Sequence, residues 1–114
     1  MGILSEAMSG NQKCIDECTK CAQACLECLS LCLNEPDVQA RKNCISMLTE
    51  CACICKESAA FMSMNAKHSK ELCGLCSTIC TKCAQECGMF KDKHCTECAQ
   101  ICTSCADECM KMSK

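Results

Sequence analysis

The sequence predicts an all-α fold: an antiparallel up-down-up-down four-helix bundle with cysteines lining the core. Three observations carry that prediction. Of 114 residues 20 are cysteine, and 19 of these keep one register of alternating steps of three and four. The cysteines gather in four clusters, and the stretches between clusters are short and rich in turn residues. In a helix such steps return every side chain to one stripe, whereas in a strand odd and even steps would scatter them over both faces.

The first helix carries Cys14, Cys18, Cys21, Cys25, Cys28 and Cys32. Asn34-Glu35-Pro36-Asp37 stops it and offers Pro36 as an early residue of the second helix, where a missing N–H costs little. The second helix keeps the stripe through Cys44, Leu48, Cys51, Cys55, Ser58 and Met62, which leaves Cys53 alone off it. The connection to the third helix falls within SMNAKHS, residues 63 to 69. Cys73, Cys76, Cys80, Cys83 and Cys87 make the third stripe, and Gly88 follows at the place of a C′ glycine. Asp92 stands three residues before Cys95 as the N-cap of the fourth helix, which carries Cys95, Cys98, Cys102, Cys105 and Cys109. The last two clusters echo each other 22 residues apart, CGLCSTICTKCAQEC against CTECAQICTSCADEC.

Short connections make successive helices antiparallel, with the four stripes facing inward. The residues directly after seam cysteines are small or apolar: Ile15, Thr19, Ala22, Leu26, Leu29 and Leu33 in the first helix, Thr96, Ala99, Thr103, Ala106 and Met110 in the fourth. They are expected to let the helices close beside the seam. Residues 13–112 read as one metal-binding bundle domain. Residues 1–12 read as an N-terminal segment, a short helix or disordered.

Composition removes several function classes. The 12 Lys+Arg are scattered among 14 Asp+Glu and there is no Trp or Tyr, so neither a basic face nor aromatic platforms for nucleic acid are expected. The N-terminus lacks the basic start and apolar run of a secretory signal, and Glu6 stands where a myristoylation signal takes Ser or Thr. No stretch approaches membrane-spanning length. The expected location is the cytoplasm, where thiols stay reduced and dense cysteine points to metal or redox chemistry rather than a disulfide scaffold.

A single buried cysteine is an ordinary small core residue. Nineteen in register are not, because large-to-small changes in a core cost about 2–5 kcal/mol each when nothing fills the space. Disulfides within one helix face would be strained, since neighbouring seam side chains project side by side. Metal fills the tube better, and charge discriminates among metals. Five or so zinc ions in four-thiolate sites would supply about +10 against about 20 thiolates. A soft monovalent ion bridged by thiolates reaches about one metal per core cysteine and a near-neutral interior, and in a cell that ion is Cu(I). Iron–sulfur ligation competes through the CxxC pairs, yet the bacterial ferredoxin run with its proline is missing. Zinc-thiolate binding, iron–sulfur binding and a thiol redox or disulfide protein stay as alternatives.

The C-terminal half, CGLCSTICTKCAQECGMFKDKHCTECAQICTSCADEC, residues 73 to 109, resembles the cytosolic copper storage proteins, a bacterial family of cysteine-lined four-helix bundles. Residues 14 to 55 follow the pattern more loosely. The resemblance implies a homotetramer of bundles that stores many Cu(I) ions and is not an enzyme. It implies the 19 seam cysteines as ligands, joined by His94, which matches the histidine at the end of the family's tube. Cys53 has no ligand role in this pattern. His68 reads as a solvated connection residue, and Met62, Met64, Met110 and Met112 gather at the opposite end, as thioether donors or as an apolar plug.

Overall fold

A computed structural model describes residues 2–4, 6 and 10–114, and over these the chain forms four long helices and no strand. They are α1 (Gln12–Leu33), α2 (Lys42–Ser63), α3 (Ser69–Cys87) and α4 (Lys93–Ser113), with a 3-10 turn at Val38–Arg41 ahead of α2. The expectation for residues 1–12 falls partly on Met1, Ser5, Ala7, Met8 and Ser9, which lie outside the described residues.

Each helix joins the inward stripe to an outer face of good helix formers and local pairs, such as Gln12 to Asp16 and Gln23 to Glu27, both at 2.8 Å. Threonine is a poorer helix former, and Thr49, Thr96 and Thr103 settle their hydroxyls on carbonyls four residues back. The helices pack in a ring in chain order, and α4 closes against α1. Cys14 near the start of α1 meets Cys109 near the end of α4, and Cys32 at the other end of α1 meets Cys95. Cys44 and Cys55 of α2 likewise meet Cys87 and Cys76 of α3. The bundle is therefore antiparallel throughout, as the short connections predict.

Three local expectations change. Pro36 stays in the connection: Val38 and Ala40 donate to the carbonyls of Glu35 and Asp37 as 3-10 bonds, and α2 begins only at Lys42. Gly88 has φ −65°, so it is no left-handed cap; a Cβ there would come within 3.1 Å of the Ala84 carbonyl oxygen, and the need is for close approach. Among the described residues the one in the left-handed region is Asn65, φ 53°, which turns the chain after α2. Asp92 occupies the N-cap position of α4, but its carboxylate makes no cap hydrogen bond and turns to Arg41 instead.

The residues after seam cysteines divide in two by steps of seven. Ala22 and Ala106 are buried and Ile15, Leu29 and Ala99 half-buried, while Thr19, Leu26, Leu33, Thr96, Thr103 and Met110 are exposed. The reason is the heptad itself: the residue after one seam position flanks the seam, and the residue after the other points away. Ser77 tightens the α3–α4 contact by donating to the Ala106 carbonyl at 2.8 Å.

Candidate metal centre

All 19 seam cysteines are buried, none more than 3% exposed, and every one is a free thiol. Cys53 is exposed. On α2 the stripe positions without sulfur hold Leu48, Ser58 and Met62, all buried as the register requires. The Ser58 hydroxyl has no hydrogen-bond partner, a single orphan among the buried side-chain polar atoms of the described residues.

Within one helix, seam sulfurs four residues apart stand at the same distance as sulfurs across helices. Cys21 to Cys25 and Cys28 to Cys32 measure 4.0 Å, and Cys76 to Cys80 measures 3.9 Å. Between helices, Cys18 lies 3.5 Å from Cys109 and 3.7 Å from Cys105. Further along, Cys21 and Cys25 lie 3.7 and 3.8 Å from Cys102, and Cys28 and Cys32 lie 3.9 and 3.7 Å from Cys95. Cys51 and Cys55 of α2 each approach Cys80 at 3.6 Å, and Cys55 reaches Cys105 across the bundle at 3.9 Å. These distances make one run of sulfurs from Cys14 and Cys109 to Cys25 and Cys102 and a second around Cys28, Cys32 and Cys95, and Cys98, hydrogen-bonded to both Cys25 and Cys28, stands between them.

Five groups of three or four donor atoms fall within 4.8 Å of one another, and they overlap. Cys18, Cys76, Cys105 and Cys109 make one; Cys21, Cys55, Cys80 and Cys105 the next; Cys21, Cys25, Cys51 and Cys102 a third. Cys28, Cys87 and Cys98 follow, and Cys28, Cys32, Cys95 and His94 close the series. Cys105, Cys21 and Cys28 belong to two groups each, so an ion in one group shares a ligand with its neighbour. Cys14, Cys44, Cys73 and Cys83 stand outside these groups, although Cys14 and Cys44 still touch Cys109 and Cys87 at 3.8 and 3.7 Å.

Thiols this close share protons. Hydrogen bonding to Cys102 first, with burial in addition, pushes the Cys25 thiol up, and Cys105 does the same to Cys55. Cys83 is pulled down to about 6, chiefly by the hydrogen bond from Cys102. Near the His94 end, burial first and Cys32 second push Cys95 up to about 12. A soft cation entering the tube must displace protons from such thiols.

The two ends differ in chemistry. His94, 22% exposed, places Nε2 3.8 Å from the Cys32 sulfur and 3.7 Å from an Asp92 carboxylate oxygen. Beside it stands a buried cation that sequence reasoning missed. Arg41, 4% exposed, points Nη1 at the sulfurs of Cys32 and Cys95, 3.6 Å from each. Its Nε donates to Asp37 at 2.7 Å, Nη1 also pairs with Asp92, and its guanidinium lies 4.5 Å from the Phe90 ring centroid. The 3-10 turn that delays α2 carries Arg41 onto the mouth, so this end of the tube holds a buried cation. An arginine in a connection gives no periodic signal, and only its position four residues after Asp37 hinted at a local pair. At the opposite end Met62 is buried and Met112 partly so, while Met64 and Met110 are exposed. His68 is exposed and paired with Glu71 at 2.9 Å, away from every sulfur group.

Comparison with known proteins agrees with this geometry. The family model described as copper storage protein matches residues 7–114. The cysteine-rich protein YhjQ of Bacillus subtilis is 37% identical over 85 residues, 75% of this chain and 79% of that one. The Cu(I)-bound copper storage protein BsCsp3 superposes with a TM-score of 0.88 at 36% identity, covering 91% of this chain and 98% of the other. A Streptomyces lividans copper storage protein loaded with 10 copper equivalents gives 0.85 at 34% identity, covering 89% and 81%. With its four cysteine stripes in one register and a match over nearly its whole length, the chain belongs to the copper storage protein family.

Proposed function

We propose that this protein stores Cu(I) on the thiolates that line its bundle. The observation that carries the reading is the set of 19 buried, free cysteines on the four inward stripes, most of them with a sulfur within 4.0 Å of another. The ligands are Cys14, Cys18, Cys21, Cys25, Cys28, Cys32, Cys44, Cys51, Cys55, Cys73, Cys76, Cys80, Cys83, Cys87, Cys95, Cys98, Cys102, Cys105 and Cys109, with His94 at the mouth. Each Cu(I) that binds a thiol releases one proton and leaves a neutral copper–thiolate unit. About one ion per core cysteine follows at full loading, because a Cu(I) held by two unshared thiolates carries net −1 in a buried interior, whereas thiolates that bridge two ions leave it neutral.

The role is storage without catalysis, carried by one domain over residues 13–112. Its setting is the cytoplasm, whose reducing poise keeps the thiols free. No helix of the described residues is long and apolar enough to cross a membrane. The assembly that the resemblance implies is a homotetramer, and an open groove between α1 and α2, where Ala22, Leu26 and Ala59 lie among the polar Thr19, Gln23, Glu27, Ser30 and Lys56, offers it a face.

An anaerobic titration with Cu(I) against a chromophoric chelator tests the reading. The expected result is colourless uptake with an end point near the core cysteine count and release of about one proton per ion. Saturation at a few ions would refute it.

A further inference from the structure

We propose that the outermost group, Cys28, Cys32, Cys95 and His94, is in addition a tetrahedral Zn(II) site, built differently from the sulfur groups behind it. The zinc site uses the outermost ligands of the proposed store, but it does not depend on that store being correct.

Zn–S bonds of about 2.3 Å at tetrahedral angles set ligand sulfurs about 3.8 Å apart, and a Zn–N bond of about 2.0–2.1 Å sets nitrogen roughly 3.6 Å from each sulfur. The sulfurs here are separated by 4.0, 3.9 and 3.7 Å, and His94 Nε2 lies 3.8 Å from Cys32. All four donors are within 4.8 Å of one another, so rotamer adjustments of a few tenths of an ångström close the site. Three cysteines and one histidine form a recognised zinc ligand set.

Spacing alone does not distinguish this group, since the four-sulfur group of Cys21, Cys25, Cys51 and Cys102 is equally compact. Charge distinguishes it. Zn(II) on four thiolates carries net −2, deep in the tube and without a neighbouring cation. Zn(II) on three thiolates and a neutral imidazole carries net −1, one charge less than a four-thiolate site, and Arg41, itself paired with Asp37 and Asp92, already directs Nη1 N–H donors at two of the three sulfurs. Among the described residues Arg41 is the one buried cation. Asp37, Asp92 and the Phe90 ring hold it in that position, so its N–H groups are aligned for the metal thiolates before any ion arrives. A single Cu(I), two- or three-coordinate, would leave at least one of the four donors to a second ion. The four donors together suit an ion that takes four ligands.

The mouth is also the accessible member of the series. His94 borders an open surface cavity with Leu31, Glu97 and Cys98, and it is 22% exposed, whereas the ligands of the four-sulfur groups are all buried.

The test uses the full copper-free chain under anaerobic reducing conditions, with Co(II) as the spectroscopic substitute for Zn(II). One equivalent of Co(II) should give the intense visible bands of a tetrahedral ion with sulfur charge transfer. His94→Ala should change those bands and weaken Zn(II) binding at least tenfold in competition with a chelator. Cys51→Ala, which opens only the deep group, should leave both unchanged. Arg41→Met should keep the band pattern of bound Co(II) yet weaken Zn(II), because it alters charge and not ligands. A first-equivalent spectrum unaltered by His94→Ala, or altered by Cys51→Ala, or without tetrahedral bands, overturns the proposal. Cu(I) titration of the unsubstituted chain keeps the two readings apart, since its end point near the core cysteine count does not depend on where zinc binds.

Discussion

Cys51, Cys53 and Cys55 occupy little more than one turn of α2, and they share a side-chain chemistry but not a role. Cys51 and Cys55 are fully buried and each lies 3.6 Å from Cys80, while Cys53 faces solvent. Inner stripe and outer face thus differ by register alone. A helical position two residues away is turned about 200° around the axis, so the same thiol becomes a candidate ligand on one side and an ordinary surface residue on the other. What makes a cysteine part of the metal centre is its set of neighbours: four helices bring sulfurs to one another only along the stripe.

The largest expected effect comes from removing the stripe. Replacing all 19 seam cysteines by Ala should abolish uptake of multiple Cu(I) equivalents while circular dichroism still reports a helical chain, because alanine favours helix. Capacity that survived would place the metal on the outer face and erase the distinction between the two regions.

Next in size is the effect of the metal on stability. Copper–thiolate bonds across four helices bind the folded state alone, so loading should raise the thermal midpoint by many degrees. Proton linkage adds a pH signature. Cys95 has its thiol raised from 9.0 to about 12 in the fold, so the stability it contributes to the metal-free protein is complete below the unfolded value and is lost as pH rises through that window. Copper affinity moves the other way, weakening as pH falls because protons compete for the thiolates. Thermal unfolding of both forms at neutral pH and above pH 9 checks the two signs together; equal midpoints for loaded and metal-free protein would mean that copper does not bridge the helices.

Leu48 sharpens the comparison within the stripe itself. It is a fully buried leucine among sulfurs, so Leu48→Ala should destabilise the metal-free bundle by about 2–5 kcal/mol in chemical denaturation. The same variant should leave the copper end point unchanged, since no ligand is lost. The smallest effect belongs to the outer face: Cys53→Ala should shift stability by no more than about 0.5 kcal/mol and leave the copper count as it was. A fall in capacity would make Cys53 a ligand after all.

The stripe was readable because steps of three and four encode a helix face locally, which is why Leu48, Ser58 and Met62 could be placed inside and Cys53 outside from the sequence. Turn chemistry was less readable. Gly88 promised a left-handed cap that Asn65 supplies at another connection, and Pro36 lies ahead of α2 rather than within its first turn. Such positions depend on where a helix stops, and neighbouring packing moves that point by a turn or less.

The sequence by itself determined the number of helices, the face each one buries and the identity of nearly every residue on that face, because helical periodicity is a property of consecutive residues. Only the tertiary structure decided which sulfurs meet. That Cys21 joins both Cys102 of α4 and Cys51 of α2, or that Cys55 reaches Cys105 across the bundle, depends on the rotation and axial offset of whole helices, which the connections and side-chain packing set together. Arg41 is the clearest case. Its charge is visible in the sequence, but its burial between Asp37, Asp92, Phe90 and two core sulfurs exists only once the first and third connections come together at one end of the bundle.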